Sequence, residues 1–271
     1  MSARYEFTIL GCGSSGGVPR IGNVWGASDP AEPKNRRRRC ALLVRRFNDA
    51  GGVTTVLIDT GPDLRQQLLD ADVGHVDAVL YTHAHADHIH GIDDLRMIAI
   101  HHRRRVPVHM DAPTSERAHE AFSYCFHTPE GSSYPPILEE HRITPGEPVI
   151  IDGEGGVIEA LPVLVRHGDI DALGFRIQDV AYLPDVKDIP ADSLEGFADL
   201  DTWIIDALRL TPHPSHFSLD DALLWIARMQ PRQAIITNMH VDLDYQTLVE
   251  MLPEGVEPAF DGMIIEITGE A

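Results

Sequence analysis

Short apolar runs recur along the chain, spaced by turn residues. "YEFTILG" at 5–11, "CALLVRR" at 40–46, "VTTVLIDTG" at 53–61, "DAVLYTH" at 77–83 and "VPVHM" at 106–110 have the β-branched, alternating character of strands. The later half adds "VIEALPVLV", "ALGFRIQ", "VAYLPD", "DTWIIDA", "QAIITNM" and "GMIIEIT". Other segments carry a helical period. "PDLRQQLLDA" has Pro62 at a first helical position and predicts one face with Leu64, Leu68 and Leu69. "SLDDALLWIARM" at 218–229 opens with Ser218 and has Asp221 three residues on, a capping signature, ahead of a Leu219, Leu223, Ile226 stripe. "GIDDLRMIAI" reads as a further helix. Strands outnumber helices and both are mixed throughout, which is an α/β pattern.

No repeat of fixed period and no low-complexity linker divides the chain, so one domain over 1–271 is the expectation. The most loop-like stretches are 23–35 and 127–148, rich in Pro, Gly and Ser. Long loops in a compact domain are often functional, so both are candidate walls of an active site.

With 43% hydrophobic residues in 271, the chain can fill a substantial core. No stretch has the eighteen uncharged apolar residues of a membrane span, and "MSARYEFTIL" lacks a secretory signal, so a cytoplasmic location is expected. Cys12, Cys40 and Cys125 are odd in number and far apart, which supports neither a disulfide framework nor a cysteine-rich zinc knuckle. Any metal must then sit on His and carboxylates. A net charge of −20 disfavours nucleic acid as a partner. The one basic run, "KNRRRRC" at 34–40 with "RRF" at 45–47, reads as a solvated hairpin edge, with a phosphate-facing patch as the alternative.

"YTHAHADHIHG", residues 81–91, holds four histidines and an aspartate where a buried strand should end. A lone histidine would be read as a hydrogen-bonded core or surface residue. Here alternation sends His83 and His85 to one side, and the turn at Asp87 and His88 points a second pair inward. That packing suits two metals, and imidazole with carboxylate fits zinc, manganese or iron. One loop cannot close two coordination shells, so ligands are needed at later strand ends. His167, Asp185 and His240 stand at such ends.

The pattern resembles the metallo-β-lactamase superfamily of hydrolases, whose signature is H-x-H-x-D-H with a distal His, a bridging Asp and a final His. The resemblance implies a four-layer αββα sandwich of two mixed sheets flanked by helices. It also implies one metal on His83, His85 and His167, the other on Asp87, His88 and His240, and Asp185 bridging. "LGCGSSGGVPR" at 10–20, "WGASDPAEPKNRRRRCALLV" at 25–44 and "HPSHFSLDDAL" at 213–223 are similar to the phosphodiesterase branch, especially phosphoribosyl 1,2-cyclic phosphate phosphodiesterases, with tRNA 3′-end endonucleases as cousins. In that branch a histidine ahead of a helix lies over the phosphate as acid or anchor. His216 has that place here, with His213 as the alternative.

Two departures matter. Relatives with a structural zinc carry cysteines and a histidine where Ser28 and Val241 stand here, so none is expected. Where relatives read "LTHISH", this chain has Thr237-Asn238-Met239-His240, which leaves Asn238 or His240 to complete the second metal site; a two-residue shift keeps His240 on the same strand face. "GCGSSGG" also contains a Gly-x-Gly-x-x-Gly, but no βαβ unit follows it, so Ser14 and Ser15 are read as a turn near the substrate.

Two divalent cations, Zn²⁺ or Mn²⁺, would activate a bridging hydroxide and neutralise a phosphate oxygen. Histidine ligands need acceptors for their other N–H, and Asp59 with Asp63 or Asp206 are the candidates. His167 and Asp185 are 18 positions apart, too close for the RNA-gripping arm of the tRNA enzymes. The expected activity is therefore hydrolysis of a small cyclic phosphate or nucleotide-like diester. A thioester or lactone hydrolase of the same fold is the alternative, tRNA processing is third, and a homodimer is an expectation borrowed from relatives.

Overall fold

The computed structural model describes residues 2–270, with side chains from 3 to 268. Among the described residues fourteen strands form two seven-stranded sheets. The first comprises β1 (Ser2–Gly11), β2 (Ala41–Phe47), β3 (Val53–Ile58), β4 (Ala78–Leu80), β5 (Val106–Met110), β6 (Leu138–Arg142) and, beside β1, the last strand β14 (Met263–Glu270). The second comprises β7 (Val149–Ile151), β8 (Ile158–His167), β9 (Ile170–Ile177), β10 (Val180–Leu183), β11 (Thr202–Asp206), β12 (Gln233–Thr237) and β13 (Val256–Pro258). Both are mixed: β3 to β6 and β10 to β13 run parallel, while the remaining pairs are antiparallel.

The two-residue period of the strands sorts their side chains into two cores. Leu42, Val44, Val56, Ile58, Ala78 and Leu80 face the second sheet, whereas Leu43, Leu57, Val79 and Tyr81 face helices on the outer side. Those helices are α1 (Leu64–Asp70), the single turn α2 (Ala86–Ile89), α3 (Arg96–His102) and α4 (Ala112–Phe126). α5 (Leu219–Met229) and α6 (Tyr245–Met251) follow β11 and β12 and pack Leu219, Ala222 and Leu248 into the core shared with the second sheet. The order of layers is helix, sheet, sheet, helix, as the resemblance implied. Among the described residues no helix is long and apolar enough to cross a membrane.

Several sequence-based expectations need correction. In α1, Leu64 and Leu68 are buried but Leu69 is exposed, because positions 64 and 68 are one turn apart and 69 has rotated off that face. The basic run is not a solvated edge. β2 lies between β1 and β3, and the charges on it and just before it are paired: Arg38 with Asp70 and Asp261, Arg39 with Asp63, and Arg45 with Glu6. Arg37 is itself buried and donates to the carbonyl of Leu243 at 2.7 Å. The loop at 23–35 docks on the same segment, with Ser28 donating to the carbonyl of Val241 at 3.1 Å.

The capping box ahead of α5 is present in full: Ser218 Oγ accepts from the Asp221 N–H, and the Asp221 carboxylate accepts from the Ser218 N–H. It anchors the segment 208–219, whose ends are tied by Leu208 N–H to the Phe217 carbonyl and Leu219 N–H to the Arg209 carbonyl. Ser218→Ala should therefore lower stability by about 1 kcal/mol in denaturant unfolding; an unchanged midpoint would remove the cap from this account.

Candidate metal centre and cleft

The site grows from a carboxylate at the end of β3. Asp59 has a left-handed backbone, with φ of 67°, and is fully buried. Its Oδ1 accepts the Thr82 N–H at 2.8 Å, and its Oδ2 accepts both the Thr82 hydroxyl at 2.8 Å and His88 Nδ1–H at 2.7 Å. Thr82 has one hydroxyl proton and gives it to Asp59, so its oxygen is left to accept Nδ1–H of His83 at 3.0 Å. Both rings then donate through Nδ1 and turn Nε2 toward the centre.

Those two Nε2 atoms and Asp185 Oδ2 are buried with no hydrogen-bond partner, although His88 Nε2 and Asp185 Oδ2 lie only 3.0 Å apart. Leaving a buried polar atom unpaired costs about 1–3 kcal/mol. Three such atoms beside one another are what a cation-binding centre presents.

The neighbouring turns are drawn close to make this possible. Thr60 N–H donates to the His88 carbonyl at 2.7 Å, and a Cβ at Gly61 would lie 2.3 Å from the Asp87 carbonyl oxygen, so only glycine fits there. His167 ends β8 and donates Nδ1–H to the Ser215 carbonyl at 2.6 Å, leaving its Nε2 3.2 Å from His85 Nδ1. Gly168, at φ of 61°, allows that approach, since a Cβ there would meet Ser215 Cβ at 2.7 Å. Asp185 follows β10 by two residues.

Among the described residues three groups bring donor atoms within 4.8 Å of one another: His83, His85 and His167; His83, His88 and Asp185; His167, Asp185 and His216. Asp87 Oδ2 stands 3.5 Å from His88 Nε2.

Electrostatics prepares the donors. Burial, and then the charge of His88, hold His83 well below the ordinary histidine range, and burial lowers His85 and His167 as well, so these rings are neutral, each with one unprotonated nitrogen. Burial also opposes charge on His88 and Asp185, but each outweighs it for the other. Asp185, Asp59 and Asp87 raise His88 well above its usual value, and His88 keeps Asp185 well below the carboxylate range.

A cleft of about 350 Å³ opens beside this centre, with His85, Asp87, His167 and Asp185 on its walls. Ser14, Ser15, His213 and His216 line it too. Ser14 and Ser15 form a turn closed by Gly17 N–H to the Ser14 carbonyl at 2.8 Å. His216 Nδ1 is 2.9 Å from Asp206 Oδ2, and Asn238 donates to Asp206 Oδ1 at 3.0 Å. Although burial works against it, the hydrogen bond to Asp206 lifts His216 to about 9; burial in turn lifts Asp206 to about 6. His213 Nδ1 accepts from the Ser215 N–H at 3.3 Å.

Of the expected acceptors, Asp59 serves His88 and Asp206 serves His216, but Asp63 binds the Arg39 backbone instead. Neither of the expected walls, 23–35 and 127–148, lines this cleft.

His240 lines the cleft but joins none of the three donor groups. The expectation that it completes the second site assumed that β12 continues past residue 237. Instead the chain turns at Asn238, with φ of 61°, and His240 N–H is taken by the Leu208 carbonyl. Its ring lies between Arg20, which contacts Nε2, and Asp242, 3.0 Å from Nδ1. Burial and then the charge of Arg20 lower its pKa. Arg20 and Arg209, both on the cleft wall, were not anticipated. Their only signal in the sequence is position: each is a lone arginine in a loop next to a chemistry-bearing stretch, "GVPR" and "RLTPHPSH".

The chain matches the beta-lactamase superfamily domain over residues 54–239. It is 32% identical over 259 residues to an octanoyltransferase of Porphyromonas gingivalis, covering 94% of this chain and 50% of that protein. It is 32% identical over 161 residues to a ribonuclease Z of Bradyrhizobium diazoefficiens, covering 56% and 49%. The chain thus spans about half the length of the curated relatives it matches. The crystal structure of a new diphosphatase from the PhnP family superposes with a TM-score of 0.86 at 33% identity over 99% of both chains. Zn(2+)-bound PqqB from Methylobacterium extorquens, at 16% identity and a TM-score of 0.72 over 96% of this chain and 99% of the other, shares the fold. With the family's domain matched over more than half its length and a strand-end centre of histidines and aspartates, the chain belongs to the metallo-β-lactamase superfamily of hydrolases.

Proposed function

We propose that this chain is a dinuclear metal phosphodiesterase that hydrolyses a small cyclic phosphate or nucleotide-like phosphodiester, of the phosphoribosyl 1,2-cyclic phosphate type. The observation that carries the reading is the trio of buried, unpartnered donors, His83 Nε2, His88 Nε2 and Asp185 Oδ2, beside a cleft whose other wall bears cations and hydrogen-bond donors. The donor set fits Zn²⁺ or Mn²⁺. His83, His85 and His167 would hold one ion and Asp87 and His88 the other, with Asp185 between them; His240 stays outside. When bound, the ions supply Lewis acidity toward the phosphoryl oxygens and activation of water at neutral pH.

The chain's own residues do the rest. Asp59 and Thr82 fix the tautomers of His88 and His83, so their Nε2 atoms point into the centre without rearrangement. The Ser215 carbonyl does the same for His167. His216, held by Asp206 and kept protonated, donates its proton to the departing alkoxide oxygen of the diester. Ser14 and Ser15 close the cleft as a polar turn near the phosphate, and His213 lies beside His216 with ring centres 5.1 Å apart.

Relatives named as a diphosphatase and a ribonuclease support phosphate chemistry. The octanoyltransferase name belongs to a protein twice as long, and it makes acyl chemistry the alternative to test. RNA is disfavoured by the charge of −20 and because the span between His167 and Asp185 holds only β9 and β10, with no inserted arm.

Metal-replete protein is expected to bind two divalent ions per chain by mass-spectrometric metal analysis, and Asp185→Ala to lose at least one. Asp59→Asn, which breaks the bond that orients His88, should weaken metal affinity about 10–100-fold in chelator competition; affinity equal to the parent's would refute the role given to Asp59.

His216→Ala should slow hydrolysis of a cyclic phosphoribose, whose leaving group is an alkoxide, by about 10²–10⁴-fold, and that of bis-p-nitrophenyl phosphate, whose p-nitrophenolate departs without a proton, far less, while bound metal stays at the parent level. Turnover of a thioester with no diesterase activity in the metal-replete parent would overturn the phosphodiesterase reading.

A further inference from the structure

At the edge of the sandwich opposite the strand-end centre, where β3 to β5 begin, lies a cavity of about 790 Å³. One wall carries His75, Asp77, His102 and Arg104, from the loop after α1 and the end of α3; the other carries Asp152 and Glu154, from the turn that follows β7. His75 Nε2 is 2.9 Å from Asp77 Oδ1 and 3.1 Å from Arg104 Nη2. The carboxylate is the nearer and can only accept, so the proton of the neutral ring sits on Nε2, and Arg104 Nη2–H reaches the same Asp77 oxygen at 3.5 Å. His75 Nδ1 is left buried with no hydrogen-bond partner. His102 Nε2 is 3.0 Å from the Gly74 carbonyl, which also can only accept, so its lone pair too is on Nδ1. The two ring centres are 4.6 Å apart. The opposite wall is fixed as well. Thr54 donates its hydroxyl to the Gly156 carbonyl and Asn48 its amide to the Glu154 carbonyl, each at 2.6 Å. A Cβ at Gly52 would lie 2.2 Å from the Glu154 carbonyl oxygen, and one at Gly155 2.1 Å from that of Arg46, so this turn meets the β2–β3 hairpin only because both are glycine. The ion pairs at the cavity are those of Asp77, and among the described residues neither Asp152 nor Glu154 joins one.

We propose that His75 Nδ1 and His102 Nδ1, with carboxylate oxygens of Asp152 and Glu154, bind a divalent transition-metal ion such as Zn²⁺ or Ni²⁺ at a site separate from the strand-end centre. Each imidazole has the support that metal-ligating histidines have: its other N–H is spent on a carboxylate or a backbone carbonyl, which fixes the ring and raises the basicity of the remaining nitrogen. A donor set of two imidazoles and carboxylates suits zinc or nickel, whereas magnesium and calcium take oxygen ligands. A buried ring nitrogen with no partner is unfavourable in a histidine kept for packing alone, and an ion at Nδ1 removes that penalty. Arg104 does not oppose the ion, because it stands at Nε2, away from Nδ1, and shares the charge of Asp77. Bound there, the ion ties the flank of the first sheet, through α3 and the loop before β4, to the turn between β7 and β8 of the second. Asp152 and Glu154 are exposed, so the site is weaker than the strand-end centre and fills only in the presence of free metal.

The test is equilibrium dialysis of the full chain against free Zn²⁺, with bound ions counted by mass-spectrometric metal analysis. At the same free Zn²⁺ the parent should hold one ion per chain more than His75→Ala or His102→Ala. Asp77→Asn, which weakens the support behind His75, should weaken that additional ion about 10–100-fold, and Glu154→Gln at least about tenfold. His101→Ala removes the neighbouring exposed histidine and should leave the count as in the parent. Saturating the additional site should raise the parent's Tm by about 5 °C, a rise that both His75→Ala and His102→Ala lack. Equal uptake by the parent and the two histidine variants overturns the site, as does a loss in His101→Ala as large as in His75→Ala. His102 is exposed, so its truncation removes no core packing and its result stands even if His75→Ala does not fold. Because each variant is read as a difference from the parent, the outcome is independent of the number of ions at the strand-end centre and of the reaction carried out there.

Discussion

A carboxylate with no access to water has to be satisfied by the chain around it, and at Asp59 that requirement organises the whole centre. Three donors converge on its two oxygens: a backbone N–H, a hydroxyl and an imidazole. Burial raises its pKa, and the bonds from His88 and Thr82 work against that rise. Because Thr82 spends its one proton on Asp59, its oxygen can only accept from His83. One buried anion therefore decides the tautomer of two histidines at once. Asp59 can sit there because aspartate tolerates the left-handed backbone that the end of β3 requires.

The sheets supply the second half of the arrangement. Asp59 follows β3, His83 follows β4, His167 ends β8, Asp185 follows β10, Asp206 ends β11 and Asn238 follows β12. Six strand ends from two sheets thus deliver chemistry to one edge of the sandwich, where the helices and the tight turns begin. Ligand sites at the carboxyl ends of strands are the general outcome in α/β folds, since side chains there leave the ladder and yet remain held by it. Metal ligation would add to this, but the positioning itself comes from hydrogen bonds and strand pairing.

Legibility followed the physics of each signal. The strands of the central sheets were readable because both faces are buried and the apolar runs are long. The helices α1 and α5 were readable because their apolar positions repeat at one turn and because Pro62 and Ser218 mark their starts. α4 was missed: its buried positions include Thr114, Ser115 and Ala118, which carry little apolar contrast, and it bends at Phe122. β6, β7 and β13 are short or edge strands, with exposed polar residues or only three positions. The histidine stretch was legible because four histidines and an aspartate within eleven positions have no common structural explanation. His240 stands apart from the three donor groups because the chain turns after Thr237, a turn that cannot be seen in an apolar run that extends to Met239. Arg20 and Arg209 were invisible, since what distinguishes them is the absence of partners in space, and spacing along the chain carries no trace of that.

Satisfaction of polar groups is uneven across the site, and the unevenness separates a ligand site from a structural one. The outer ring is complete: Asp59, Thr82, Asp206, Asn238 and the Ser215 carbonyl each have well-aligned partners. The inner ring is not, for His83 Nε2, His88 Nε2 and Asp185 Oδ2 are buried and unmatched. A fold selected for stability alone would replace such a cluster by apolar packing, because unpaired buried donors cost more than they return. Complete support behind incomplete donors is instead the pattern expected where preorganised groups await a charged guest.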